Sequence, residues 1–258
     1  MNLSSKPDWL ATLPANVVKT TREGAPGKVL LVCEHASRFI PEGLANLGLD
    51  AETSLSHIAW DPGAMKVAEH LSESLNAALV SQKISRLVYD CNRPPESPDA
   101  VRDKSEIFNI PGNSGLTAAE RDERTTYIYE PFRKALAGQV KTRPETVLVT
   151  IHSFTPVYNG QTRDVEIGIL HDEDSRLADA MLLAAAANPA YRTKRNDPYG
   201  PADGVTHTLV EHAAPVGLLN VMIEIRNDLL LTKNDRHKVA AWLGDILTSA
   251  LDATVEES

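Results

Sequence analysis

Cysteine is nearly absent from this chain: Cys33 and Cys91 are the two thiols among 258 residues, and no CxxC pair occurs. That scarcity excludes a disulfide framework and a zinc site built from thiolates. Net positive charge is lacking too. At −9, the chain offers no general electrostatic footprint for nucleic acid or an anionic membrane surface. No apolar run approaches the ~20 residues of a membrane span. No basic-then-apolar leader opens MNLSSKPDWLATLPANVV, so the expected setting is the cytoplasm. Neither an internal repeat nor a shift in composition divides the chain. With 42% of its residues hydrophobic it has material for a large core, and one domain over residues 1–258 is expected. Its expected partners are small molecules, and nothing in the sequence speaks to oligomeric state.

What is present alternates between strand-like and helix-like runs. KVLLVC (28–33) is short and almost wholly apolar, the pattern of a strand covered on both faces. After DPG at 61–63, Ala64, Ala68, Leu71, Leu75 and Ala78 form a helical stripe. ALVSQ and RLVYD read as the next strands. Residues 95–116, rich in Pro, Ser, Asp, Asn and Gly, read as a long loop with the makings of a lid. Thr117-Ala-Ala-Glu120 is a capping box opening a helix expected to run to about Val140. TVLVTIHS (146–153), VEIGIL (165–170) and LLNVMIEIR (218–226) read as strands, with a helix over 175–187 and an amphipathic C-terminal helix ahead of a frayed acidic tail, VEES. The pattern predicts one α/β domain in three layers, with a mostly parallel or mixed central sheet and helices on both faces.

In such sheets chemistry collects beyond the carboxyl ends of the strands. Those ends carry Glu34-His35, Asn92-Arg93, His152-Ser153 and Glu224-Ile225-Arg226-Asn227. A single terminal Asn or His is ordinary capping; four strands ending this way are harder to explain so. His35 and His152 on neighbouring strand ends make a site for a divalent ion, zinc by preference, with Asp61 or His57 turning in as third ligand. The plainer role for Asp61 is to cap the helix behind Pro62. Glu224, set among Val221, Met222, Ile223 and Ile225, suits a general base with a raised pKa. Arg93, followed by two prolines, offers a guanidinium fork to a carboxylate. Arg86 is a helper or a salt-bridge partner, and Arg226 a candidate cation for a second carboxylate.

Taken in order, VCEHAS, HIAWDPGA, YDCNRPP, VTIHSF and VMIEIRNDLL resemble the N-formylglutamate amidohydrolase family, over roughly residues 28–250. The resemblance implies the zinc exopeptidase (phosphorylase/hydrolase-like) fold shared with carboxypeptidases and aspartoacylases. It implies zinc on His35 and His152, a catalytic Glu224, and Asn92-Arg93 on the substrate carboxylate. Related peptidases carry a ligand Glu three residues after their first His, where this chain has Arg38, so Asp61 becomes the candidate third ligand. The expected activity is metal-dependent hydrolysis of the amide of an N-acyl amino acid. The alternatives are another zinc-dependent deacylase or carboxypeptidase-like enzyme, a cysteine hydrolase using Cys33 or Cys91, and a carboxylate-binding module without catalysis.

Overall fold

A computed structural model describes residues 8–256; part of the N-terminal stretch and the last two residues of the acidic tail lie outside the described residues. Seven strands make the main sheet: β1 (Val18–Thr21), β2 (Val29–Cys33), β3 (Ala78–Gln82), β4 (Val147–Phe154), β5 (Ile167–Leu170), β6 (Thr193–Arg195) and β7 (Asn220–Arg226). Their order is β1-β3-β2-β4-β7-β5-β6. The central four, β3-β2-β4-β7, run parallel. Edge strand β1 pairs antiparallel with β3, and β5 antiparallel with β7. The sheet is therefore mixed but mostly parallel, as the alternating pattern predicts. Strands β2, β3 and β4 are buried along their whole lengths, and β7 up to Arg226, which is why they read as continuous apolar runs rather than alternating ones.

Period-2 alternation sends odd and even positions into two separate cores. Leu31, Val149, Ile151, Ile223 and Ile225 face a helical layer built from α1 (Ala64–Ser74), α4 (Arg176–Ala187) and α5 (Lys233–Glu256). Leu30, Val32, Leu148 and Met222 face the other layer, which holds α3 (Glu130–Thr142) and much irregular chain. Among the described residues no helix is long and apolar enough to cross a membrane.

Three expected elements differ. RLVYD is not a strand: its backbone turns, with the Val88 N–H donating to Ser85 O at 2.9 Å and Asp90 N–H to Ala100 O at 2.8 Å. β3 already has a partner on each side, so Leu87, Val88 and Tyr89 pack as a buried turn, and an apolar triplet looks the same in either setting. The helix expected over 117–140 keeps its capping box, but α2 (Ala118–Arg124) passes through a wide turn at Thr125–Tyr129 before α3. Pro131 cannot donate to the carbonyl four residues back, and the turn opens so that Glu130 N–H reaches Thr125 O. The 95–116 segment is largely tied down: Asn113 donates to Leu87 O and Arg102 O, and Arg124 donates to Asn113 Oδ1 at 2.6 Å. What projects from it is a small hairpin, Lys104–Ser105 with Phe108–Asn109.

Candidate metal centre and its cavity

Strand register brings the site together. On the β7–β4 ladder Glu224 lies opposite His152. Continuing β2 on β4, where Val32 faces Thr150, places Glu34 level with His152. Alternation puts Glu34, His152 and Glu224 on the face of the irregular layer, in one row across three strands. His35 follows as the chain leaves β2, and the Asp61 N–H donates to His35 O at 3.0 Å, bringing the 57–63 segment alongside. Asp61 is not the cap of α1. That position is Gly63, whose φ of 86° is left-handed; a Cβ there would lie 2.5 Å from Leu230 Cβ. The tight turn leaves the Asp61 carboxylate free to point inward.

His35 Nδ1, His152 Nδ1 and Asp61 Oδ2 form a triangle with sides of 3.1, 2.9 and 3.2 Å, and all three residues are buried. Bonds of about 2.0–2.2 Å to a tetrahedral zinc put ligand atoms roughly 3.3–3.5 Å apart, so the donor set needs little movement to close on an ion. The outer nitrogens are backed by acids. His35 Nε2 lies 2.7 Å from Asp90 Oδ1. His152 Nε2 lies 3.1 Å from Glu34 Oε2, an electrostatic contact whose angle falls short of a good hydrogen bond. Carboxylates in these positions orient a ligand imidazole and make its inner nitrogen more basic. Arg86 joins the cluster, donating to Asp61 Oδ1 at 3.2 Å and Asp90 Oδ2 at 2.8 Å.

The electrostatics fit a cation site. Burial would raise the pKa of Asp61, but His35, His152 and Arg86 hold it well below the usual carboxylate range. Burial would lower that of His152, but Glu34 and Asp61 hold it well above the ordinary histidine value. Glu224 behaves oppositely: burial, with the Asp61 charge adding, pushes its carboxyl up to about 7. Its Oε2 is buried without a hydrogen-bond partner.

The cluster floors a cavity of about 470 Å³ that Glu224, Arg86, Asn92 and Arg93 also line. Arg93 sits in a turn rather than at a strand end; its Nη1 donates to the carbonyls of Gly204 and Asn92, while Nε is buried without a partner. Asn92 is spent on the backbone, donating to Val205 O at 2.5 Å and accepting from Thr208 N–H at 3.0 Å. Arg226 stands outside the cavity wall. It donates to Asp228 Oδ1 at 2.8 Å and to Arg163 O at 3.1 Å. His57 lines the cavity but pairs with Glu106 at 2.5 Å, and Arg38 lies over Trp60. His212, on a short helix over 207–212, is buried. Neither thiol is placed to react: Cys33 is wholly buried on the helical side and Cys91 is 2% exposed, and burial raises both pKa values.

The sequence pattern assigned no role to the carboxylates behind the histidines, although Glu34 directly precedes His35 and Asp90 lies two residues before Asn92. It also missed Arg102, Arg163 and Tyr199 in the cavity wall; they lie in polar loops where no periodicity marks them.

The sequence model of a family described as N-formylglutamate amidohydrolase matches residues 27–231. A gene product of Agrobacterium tumefaciens of known crystal structure is 55% identical, with 93% of this chain and 96% of that one covered, at a TM-score of 0.91. An N-formylglutamate amidohydrolase from Ralstonia eutropha is 18% identical over 92% of this chain and 96% of its own, at a TM-score of 0.64, and shares the fold. No curated protein matches the chain.

Proposed function

The chain belongs to the N-formylglutamate amidohydrolase family, and from that membership we propose that it hydrolyses the amide bond of an N-acyl amino acid with one divalent ion, zinc by preference. The observation that carries the metal is the triangle of inward-facing His35, His152 and Asp61 donors, with an acid behind each imidazole. When bound, such an ion acidifies water and polarises the amide carbonyl.

The rest falls to the chain. Glu224, with its raised pKa and unpartnered Oε2, takes the proton of the attacking water and delivers it to the leaving nitrogen. Water is added across the C–N bond, giving a carboxylic acid and a free amino acid. Arg93 receives the α-carboxylate at the cavity wall, and Asn92 fixes the neighbouring 205–208 backbone. Arg86 restrains Asp61 and Asp90 rather than meeting substrate. A cavity of about 470 Å³ suits a ligand of this size.

The test is metal analysis of wild type and His152→Ala, joined to a panel of N-formyl and N-acetyl amino acids. Wild type is expected to hold one ion and release the amine; the variant is expected to lose both properties. Full metal content in the variant removes His152 from the ligand set. Turnover that survives a chelator but not thiol alkylation would replace this reading with the cysteine one.

A further inference from the structure

A second pair of histidines lies away from the cavity, on the helical side of the sheet. His70 belongs to α1 and His237 to α5; their ring centres are 5.2 Å apart and their planes stand at 86°. The two helices lie side by side and run in the same direction. Gly63, at the start of α1, lies against Leu230 just ahead of α5, and further along Gly244 lies against Leu71 and Ser74. Val67 and Leu71 on α1 share a core with Val239, Ala240 and Leu243 on α5. The histidine pair falls between these contacts, so its spacing is set by packing on both sides. His70 is half-buried and His237 exposed, and the pair opens to solvent.

Two imidazoles bound through nitrogen to one tetrahedral ion at about 2.0–2.1 Å have ring centres roughly 5 Å apart. The observed spacing already suits a shared ion; what remains is to turn a nitrogen of each ring toward one point. Among the described residues neither imidazole has a hydrogen-bond or ion-pair partner, so the nitrogens are open to a ligand. Glu73 lies three residues beyond His70, on the same side of α1, and its carboxylate is exposed. In the present conformation it does not converge with the two rings, and a change of rotamer makes it a third, oxygen donor. Neighbouring charges are otherwise engaged: Lys66 pairs with Glu69 at 2.7 Å, Asp235 accepts from Thr232 N–H at 3.1 Å, and Arg236 donates to Leu230 O at 2.8 Å. Imidazole donors select zinc, copper or nickel over calcium and magnesium.

We propose that His70 and His237 form a second metal site, on the surface of the helical layer, that takes a divalent ion of the zinc, nickel and copper class and staples α1 to α5. The site stands apart from the reaction assigned to the cavity. An ion bound there stabilises the folded chain by mass action. It also steadies α1, and Asp61 lies just ahead of that helix. With two imidazoles and one mobile carboxylate it binds more weakly than the buried donor set: it fills at micromolar free ion and empties on buffer exchange, which leaves the cavity ion alone in place.

The experiment uses untagged protein that has first been given one equivalent of zinc. Zinc is then titrated calorimetrically to about 100 μM free ion, a concentration that largely fills a micromolar site. Wild type is expected to take up a second ion, and its melting temperature to rise as that ion binds. His70→Phe and His237→Phe keep a ring in the contact and lose the nitrogen donors. Each is expected to weaken the second site by roughly tenfold or more, because a single imidazole is left, while the first ion and turnover are unchanged. If the cavity binds no metal, the surface ion becomes the first equivalent and the same two variants remove it, so the two sites fail separately. Wild type that takes up no surface ion at this concentration overturns the proposal. So do Phe variants that bind it as tightly as wild type, which would mark an adventitious ion elsewhere on the acidic surface.

Discussion

At the scale of single residues, the site depends on giving neighbouring acids opposite tasks. Asp61 and Glu224 share a buried region, yet Asp61 is held ionised by two imidazoles and Arg86 while burial raises Glu224 to about 7. Pairs driven apart in this way divide into ligand and proton carrier. Glu224→Gln preserves shape and removes the base, so kcat is expected to fall by roughly 10²-fold or more with metal content unchanged. The acid limb of the rate profile in wild type should lie above the ordinary carboxylate range, because a base with a raised pKa is lost at higher pH as acid is added. Pre-steady-state and pH-dependent rates on both proteins check this, and near-normal turnover in the variant would exclude Glu224 as the base.

At the scale of elements, the turn into α1 sets the third donor of the candidate metal site. Gly63 takes a left-handed φ at the helix start, and the space where a side chain would begin is filled by Leu230. Gly63→Ala therefore meets both backbone strain and a close contact. A loss of about 1–3 kcal/mol in stability is expected, together with weaker metal binding because Asp61 is displaced. Denaturant unfolding and zinc titration measure the two effects. A stable variant with unaltered zinc affinity would show that this turn does not position Asp61.

For the whole molecule, the proposed metal binding would couple to both protons and folding. The pKa of His152 in the metal-free protein is raised by Glu34 and Asp61. The stabilisation from that protonated histidine is complete below the unfolded value near 6.5 and is lost as pH rises through the folded value. Zinc must displace the same proton. Its affinity should therefore rise about tenfold per pH unit for each proton displaced, until the folded pKa is passed. At 100 times Kd, the ion adds about 2.7 kcal/mol to stability, or a melting shift on the order of 5–10 °C for a domain of this length. Thermal unfolding with and without zinc between pH 6 and 8 tests both, and a midpoint indifferent to the metal would count against a site joined to the fold.

Much of this was legible in the sequence, for local reasons. Central strands covered on both faces must be apolar throughout, so β2, β4 and β7 stand out as runs, and the polar residues ending those runs mark the site. Helix stripes and the Thr117–Glu120 capping box are equally local. Tertiary structure decided what depends on neighbours that are distant in the chain. Leu87-Val88-Tyr89 became a turn because β3 had no free edge, and Asn92 turned to the backbone of 205–208. Asp61 rather than His57 reached the histidines because Gly63 turns the chain and Glu106 engages His57. Arg226 and Arg163 look alike in sequence. Only packing gives one a carboxylate and a set of carbonyls and the other three aromatic rings, and so only packing decides which of the two lines the cavity.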